Sequence, residues 1–190
     1  MSRRRRHAAV STAVLLELSL AAVALVLGAI AGISPLRSLE WRLDDVALGC
    51  FAAVPLLAVF RIGWRSRAAA LRRIREALER LLPEMFAGTS TVGLTAVSLA
   101  AGIGEEILFR GFLQGWLETI LGPHGGLIAA SLLFGAAHPI TPGYAAIATL
   151  MGAYLGALWL ATGNLLVPIV THAVYDLIVL RVLLRGAAGQ

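Results

Sequence analysis

Three pairs of chemically active side chains recur at the same spacing of four: Glu106 with Arg110, Phe134 with His138, and His172 with Asp176. Glu105 stands directly beside the first pair. Residues four apart share one face of a helix, and a glutamate N-terminal to an arginine is the favourable order for an ion pair. Glu106 can therefore be neutralised on its own helix. Glu105 is turned about 100° away and has no local cation, which leaves it as the candidate general base for activating water. His172 with Asp176 one turn on reads as an imidazole oriented by a carboxylate. His138 supplies a second imidazole.

All of these groups lie in apolar surroundings. Leu94–Ala101 precedes the glutamates and Phe112-Leu113 follows them. A charge at bilayer depth costs roughly 2.5–3.5 kcal/mol by insertion scales, so ionisable residues there mark function by default. A long helix from about Phe86 to Leu121 is expected to carry Glu105, Glu106 and Arg110. Gly122-Pro123-His124-Gly125-Gly126 reads as a turn, with His124 only a loop residue. A fourth helix should then run from Leu127 to His138 and stop at Pro139. Glu105 lies 17 residues before Gly122 and His138 lies 16 after it, so an antiparallel pair brings them level. A fifth helix, Tyr144 to Leu160, and a sixth, Leu165 to about Leu184, follow. His172 can approach the others if the fourth helix ends within the membrane.

Composition agrees with this setting. The chain has 190 residues, 58% hydrophobic and only 14% charged, against about 25% charged in soluble domains. The mean hydropathy is +0.82. An all-α polytopic membrane bundle of about six transmembrane helices follows, with the bilayer as partner. The net charge of +5 does not imply nucleic acid: all 16 basic residues are arginines, and 13 of them precede Leu81. Such clustering is what sets membrane topology. Residues 1–85 are expected to form two transmembrane helices, Ala8–Ile33 and Val46–Ile62, plus a basic amphipathic connector at about 61–84 lying on the anionic cytoplasmic surface. Residues 86–190 form a core of four helices. Both termini then lie in the cytoplasm. Glu17 is an odd carboxylate in the first helix, read as a polar residue facing another helix. Cys50, without a second thiol for a disulfide or metal site, is expected to be buried and inert. Trp116, Tyr144 and Trp159 are read as membrane-interface anchors.

Glu105-Glu106-x-x-x-Arg110, Phe134-x-x-x-His138 and His172-x-x-x-Asp176, in that order, resemble the motifs of the CAAX-protease and bacteriocin-processing (CPBP, Abi) family, which includes the Ras-converting CAAX prenyl endopeptidase. The resemblance covers about Ala87 to Val182. It implies an intramembrane endopeptidase in which Glu105 activates water, His138 holds that water, and His172 with position 176 stabilises the oxyanion. Glu106 and Arg110 would brace the site, or Arg110 would grip a substrate carboxylate. Family members carry Asn or Asp at position 176. An ionised Asp cannot donate to an oxyanion, so Asp176 is expected to orient His172. The substrate implied is a membrane-associated or lipid-modified peptide, in a prokaryotic plasma membrane one other than a prenylated CAAX protein.

Two histidines and two glutamates are also a donor set zinc could use, and the family has often been labelled metalloprotease. A helical HExxH is absent, and the reading favoured is a metal-free glutamate mechanism without cofactor. A non-catalytic bacteriocin-immunity or peptide-binding membrane protein is the competing class. A proton-coupled transporter is the third, without an inverted repeat to support it.

Overall fold

The computed structural model describes residues 3–188, with side chains from residue 7 to residue 185. The topology-setting side chains Arg3 to Arg6 lie outside those described. The chain forms α1 (Arg3–Ala31), α2 (Leu43–Arg65), α3 (Ala69–Phe86), α4 (Thr91–Glu106), a π-helical segment (Ile107–Gln114), α5 (Gly115–Ala136), α6 (Pro142–Thr162) and α7 (Leu166–Ala188). No strand occurs among the described residues. The protein is an all-helical polytopic bundle.

Five helical stretches are long and apolar enough to cross a membrane. The longest, Thr91–Ala136, holds 46 residues and is two passes: at Gly122 the backbone leaves helical geometry, with φ 71° and ψ 171°. That left-handed φ is open to glycine, and Pro123 is preset for a first helical turn. The reversal is therefore tighter than the five-residue turn expected from sequence. Phe134 folds back onto Phe109, their rings 4.9 Å apart. The returning arm, 123–136, is about 21 Å long at 1.5 Å per residue, short of the ~30 Å hydrocarbon core. The outward faces of α1 and α2 show Leu15, Val26, Ile30, Phe51, Val54 and Ile62, as a hydrocarbon solvent permits.

The expected long helix from Phe86 begins later. The connector helix runs on through Pro83 to Phe86, and Ser90 then caps α4, its Oγ accepting from Gly93 N–H at 3.2 Å. Within α3, Ile74 and Leu78 are buried, and Leu71 packs beside them on Phe60, Trp64, Tyr144 and Val179. That stripe is covered by protein rather than left for lipid. Val10, Ala13 and Val14 of α1 pack with Phe86 and with Leu180 and Leu184 of α7. Both ends of the described chain thus lie at the α3 end of the bundle.

α4 lies between α1 and α7, α5 packs on α6, and α2 flanks α7. Glycine makes these approaches close. A methyl on Gly104 would run into the backbone carbonyl of Glu17, and one on Gly102 would meet Ile169 O and Ala173. Gly49 packs against Val167 and Val170, which turns the next residue outward. Cys50, expected buried, is therefore exposed on the outer face of α2.

Candidate active site

The π-helical segment starts directly after the two glutamates. Such segments are rare and concentrate at functional sites. Here it sends Arg110 and Gln114 toward α6. Arg110 Nη2 donates to Gly152 O at 2.8 Å and Gln114 Nε2 to Gly156 O at 3.4 Å. The two contacts repeat with a step of four on both helices, and a side chain at Gly156 would strike Gln114. Arg110 Nη1 donates to Glu106 Oε1 at 2.9 Å, so the pair expected from spacing forms. The guanidinium also lies over the Phe134 ring, 4.6 Å from its centroid, an attraction to the ring face.

Glu106 has a second partner that spacing did not reveal. His172 Nδ1 lies 2.8 Å from the same Oε1. The carboxylate accepts, so Nδ1 carries the proton and Nε2 is turned toward Asp176, whose Oδ2 is 3.6 Å away. The short contact that orients His172 comes from Glu106, a helix away, rather than from Asp176. Glu106 is 0% and Arg110 1% exposed. Neither is among the residues that line the site's cavity, and the guanidinium is held by Glu106 and Gly152 O.

Glu105 takes the other direction. Its Oε2 lies 3.6 Å from His138 Nε2, which makes level the two residues that the hairpin count brought together. His138 Nδ1 donates to Phe134 O at 2.7 Å. This works because the fourth pass ends at Ala136: the chain turns at Ala137–Pro139, and the ring folds back on the last helical turn. Phe134 packs on it, centroids 4.6 Å apart. His138 sits outside the spanning helices. Burial, foremost, pushes its imidazole below the ordinary value of 6.5, and the Phe134 carbonyl only partly opposes this.

These groups surround one cavity of about 90 Å³, room for several waters. Glu105, His138, His172 and Asp176 form its polar side, while Phe134, Ile147 and Met151 form an apolar wall. Tyr144 and Tyr175 complete it. Tyr144 is thus a site residue rather than an interface anchor, with its ring 6.3 Å from that of His138. Trp159 is also drawn inward: its Nε1 donates to Ser38 Oγ at 3.0 Å.

Among the described residues no three His, Cys, Asp or Glu side chains converge as a ligand set for a metal such as zinc. Glu106 is engaged by Arg110 and His172, whereas both histidines hold Nδ1 in a hydrogen bond and keep Nε2 for another partner.

Fold and site define a polytopic helical membrane protein with paired glutamates and two histidines enclosed among its helices. Residues 87–178 match the family model described as type II CAAX prenyl endopeptidase Rce1-like, the same family that the three motifs resemble. The match contains Glu105, Glu106, Arg110, His138, His172 and Asp176. That segment is therefore similar to CAAX-type endopeptidases, and the helices around it are long and apolar enough to cross a membrane. No curated protein and no solved structure matches the chain.

Proposed function

We propose that the protein hydrolyses a peptide bond with water activated by Glu105. The observation that carries this is the facing of Glu105 Oε2 and His138 Nε2 at 3.6 Å on the cavity wall. With Nδ1 protonated by its bond to Phe134 O, a neutral His138 presents a lone pair at Nε2. An ionised Glu105 presents another acceptor. A water over the pair satisfies both by donating one hydrogen to each, leaving its own lone pair for a carbonyl in the cavity.

Attack forms the C–O bond while one water proton passes to Glu105. His172, held through Nδ1 by Glu106, as imidazolium directs an Nε2–H toward the developing oxyanion. Asp176 keeps that ring oriented from its other side. Collapse breaks the C–N bond, and Glu105 returns its proton to the leaving amine. The products are a carboxylate and an amine, and the glutamate is restored.

Tyr144 on the cavity wall packs with Ile74 and Leu78 of α3, which puts the cavity near that end of the bundle. With arginine-rich segments cytoplasmic, the substrate is a membrane-associated or lipid-modified peptide reaching the site from the cytoplasmic half of the bilayer.

Cleavage of quenched prenylated and unprenylated peptides by detergent-purified protein tests this. Wild type, Glu105→Gln and His138→Ala are compared with and without chelator. Turnover that resists chelator and is lost in Glu105→Gln is expected. Loss with chelator and rescue by zinc would move the chemistry to a metal. A Glu105→Gln variant that cleaves as well as wild type would remove the glutamate mechanism.

A further inference from the structure

One carboxyl near the site belongs to no part of that mechanism and lies outside the matched segment. Glu17 is the polar member of an otherwise apolar α1 face. Val10, Ala13 and Val14 before it pack on one cluster, and Ala21 and Ala24 after it pack on another. α1 crosses α4 at this level: Glu17 O is the atom that a side chain on Gly104, the neighbour of Glu105, would strike. The side chain is partly exposed, yet its Oε2 is buried without a hydrogen-bond partner.

The charged groups that reach Glu17 come from both helices against which α1 packs here. They are Glu105 from α4, and His172 and Asp176 from α7. In the π-helical segment Arg110 is spent on Glu106. Among the described residues, His172 and His138 act as counter-charges on Asp176, and His172 is shared with Glu17 and Glu105. A lipid-facing glutamate would gain nothing by turning an oxygen into this seam. Two glycines of α4 two positions apart, Gly102 and Gly104, bring α7 and α1 close on either side.

We propose that Glu17 is a positioning residue of this site, a carboxyl delivered by α1 that acts through His172 and Asp176. It lies where α1 meets α4 beside Glu105, within electrostatic reach of His172, while Glu106 holds Nδ1, so carboxylates from three helices act on the imidazole. The N-terminal helix thereby belongs to the working site, although the family match begins only at residue 87. The kinetic consequence rests on the peptidase reading; the electrostatic one does not.

The experiment uses full-length protein in micelles with ¹⁵N-histidine labelling, which introduces four imidazoles. Glu17→Gln preserves shape and removes the acid, and Glu17→Asp keeps the acid with a shorter reach. The ring signals of His172 are expected to change their pH dependence in Glu17→Gln, with those of His7 and His124 unmoved. On a cleaved peptide, kcat should fall about tenfold, as for lost outer partners of an active histidine, with KM within about twofold and a displaced pH profile. Glu17→Asp should recover part of each effect. Unchanged His172 signals in a folded Glu17→Gln protein would overturn the proposal. So would a Glu17→Asp protein identical to wild type if Glu17→Gln fails to fold. If wild type cleaves nothing, the peptidase reading fails and the histidine signals still decide the role of Glu17.

Discussion

His172 Nδ1 sits 2.8 Å from the same Glu106 oxygen that receives Arg110 at 2.9 Å. One buried carboxylate thus joins Arg110 on the π-helical segment to the imidazole on α7. Its partners approach from different helices, so Glu106 couples folding of the bundle to orientation of the site.

Removing that carboxylate should therefore cost both stability and activity. Glu106→Gln leaves Arg110 buried without its ion pair, a loss of about 3–5 kcal/mol in comparable cases. Thermal unfolding in detergent should show the drop. In the double variant Glu106→Gln/Arg110→Gln much of the stability should return, because no unpaired charge remains. Activity should not return, since a neutral amide oxygen no longer supports the His172 imidazolium as the carboxylate does. Equal recovery of both would show that Glu106 has no part in positioning the histidine.

Close approach through glycine makes a second, purely steric prediction. Gly104→Ala sets a methyl against the Glu17 backbone carbonyl, whereas a methyl at Gly115 meets Trp159 at an ordinary 3.6 Å. Overpacking of this kind costs about 1–3 kcal/mol. Gly104→Ala should lower the melting temperature and reduce activity by pushing α1 from α4, and Gly115→Ala should leave both near wild type.

Much of this site was legible in the sequence because its pairs are local. Glu106 with Arg110 needs only helical spacing, and Glu105 with His138 needs only one hairpin, whose reversal Gly122-Pro123 announces. The contact of His172 with Glu106 spans 66 positions and depends on how α7 lies on α4, which no periodicity encodes. Tyr144 was misread for a related reason: an aromatic at a helix start fits an interface anchor equally well until α3 is seen covering it. The outward turn of Cys50 required knowing that Gly49 is the contact with α7. Gln114 had a faint signal, its step of four from Arg110 repeated by Gly152 and Gly156, visible only once α6 is set beside the π-helical segment.

Asn164 carries the connection between α1 and α2. Its Nδ2 donates to Glu40 O and Asp45 Oδ2, each at 2.8 Å, and its Oδ1 accepts from the Glu40 and Leu166 N–H groups at 3.0 Å. Asn164→Ala strands several of these groups, about 1–3 kcal/mol for a buried partner left unsatisfied. Limited proteolysis should cut between Gly32 and Arg42 faster in the variant. An unchanged rate would show that the connection is held by other contacts, such as Leu165 N–H to Ser38 O at 2.8 Å.

The fourth prediction concerns pH. His138 titrates below its ordinary 6.5 because it is buried, foremost, beside the Phe134 carbonyl that only partly offsets burial. The unfolded chain therefore binds this proton at higher pH than the folded one. Its contribution to stability is complete above about 6.5 and is lost as pH falls from there toward the folded value, below which the loss stops growing. Activity should hold through that range and decline as pH falls through the lower, folded value, since a protonated Nε2 no longer accepts from the water shared with Glu105. In His138→Gln the acid-side loss of stability should flatten, measured as melting temperature between pH 7 and pH 5. Because Glu105 and Asp176 share the cavity, the decisive quantity is the difference between wild type and variant at each pH. Parallel curves would mean that His138 binds its proton alike folded and unfolded, and that burial does not hold the imidazole neutral.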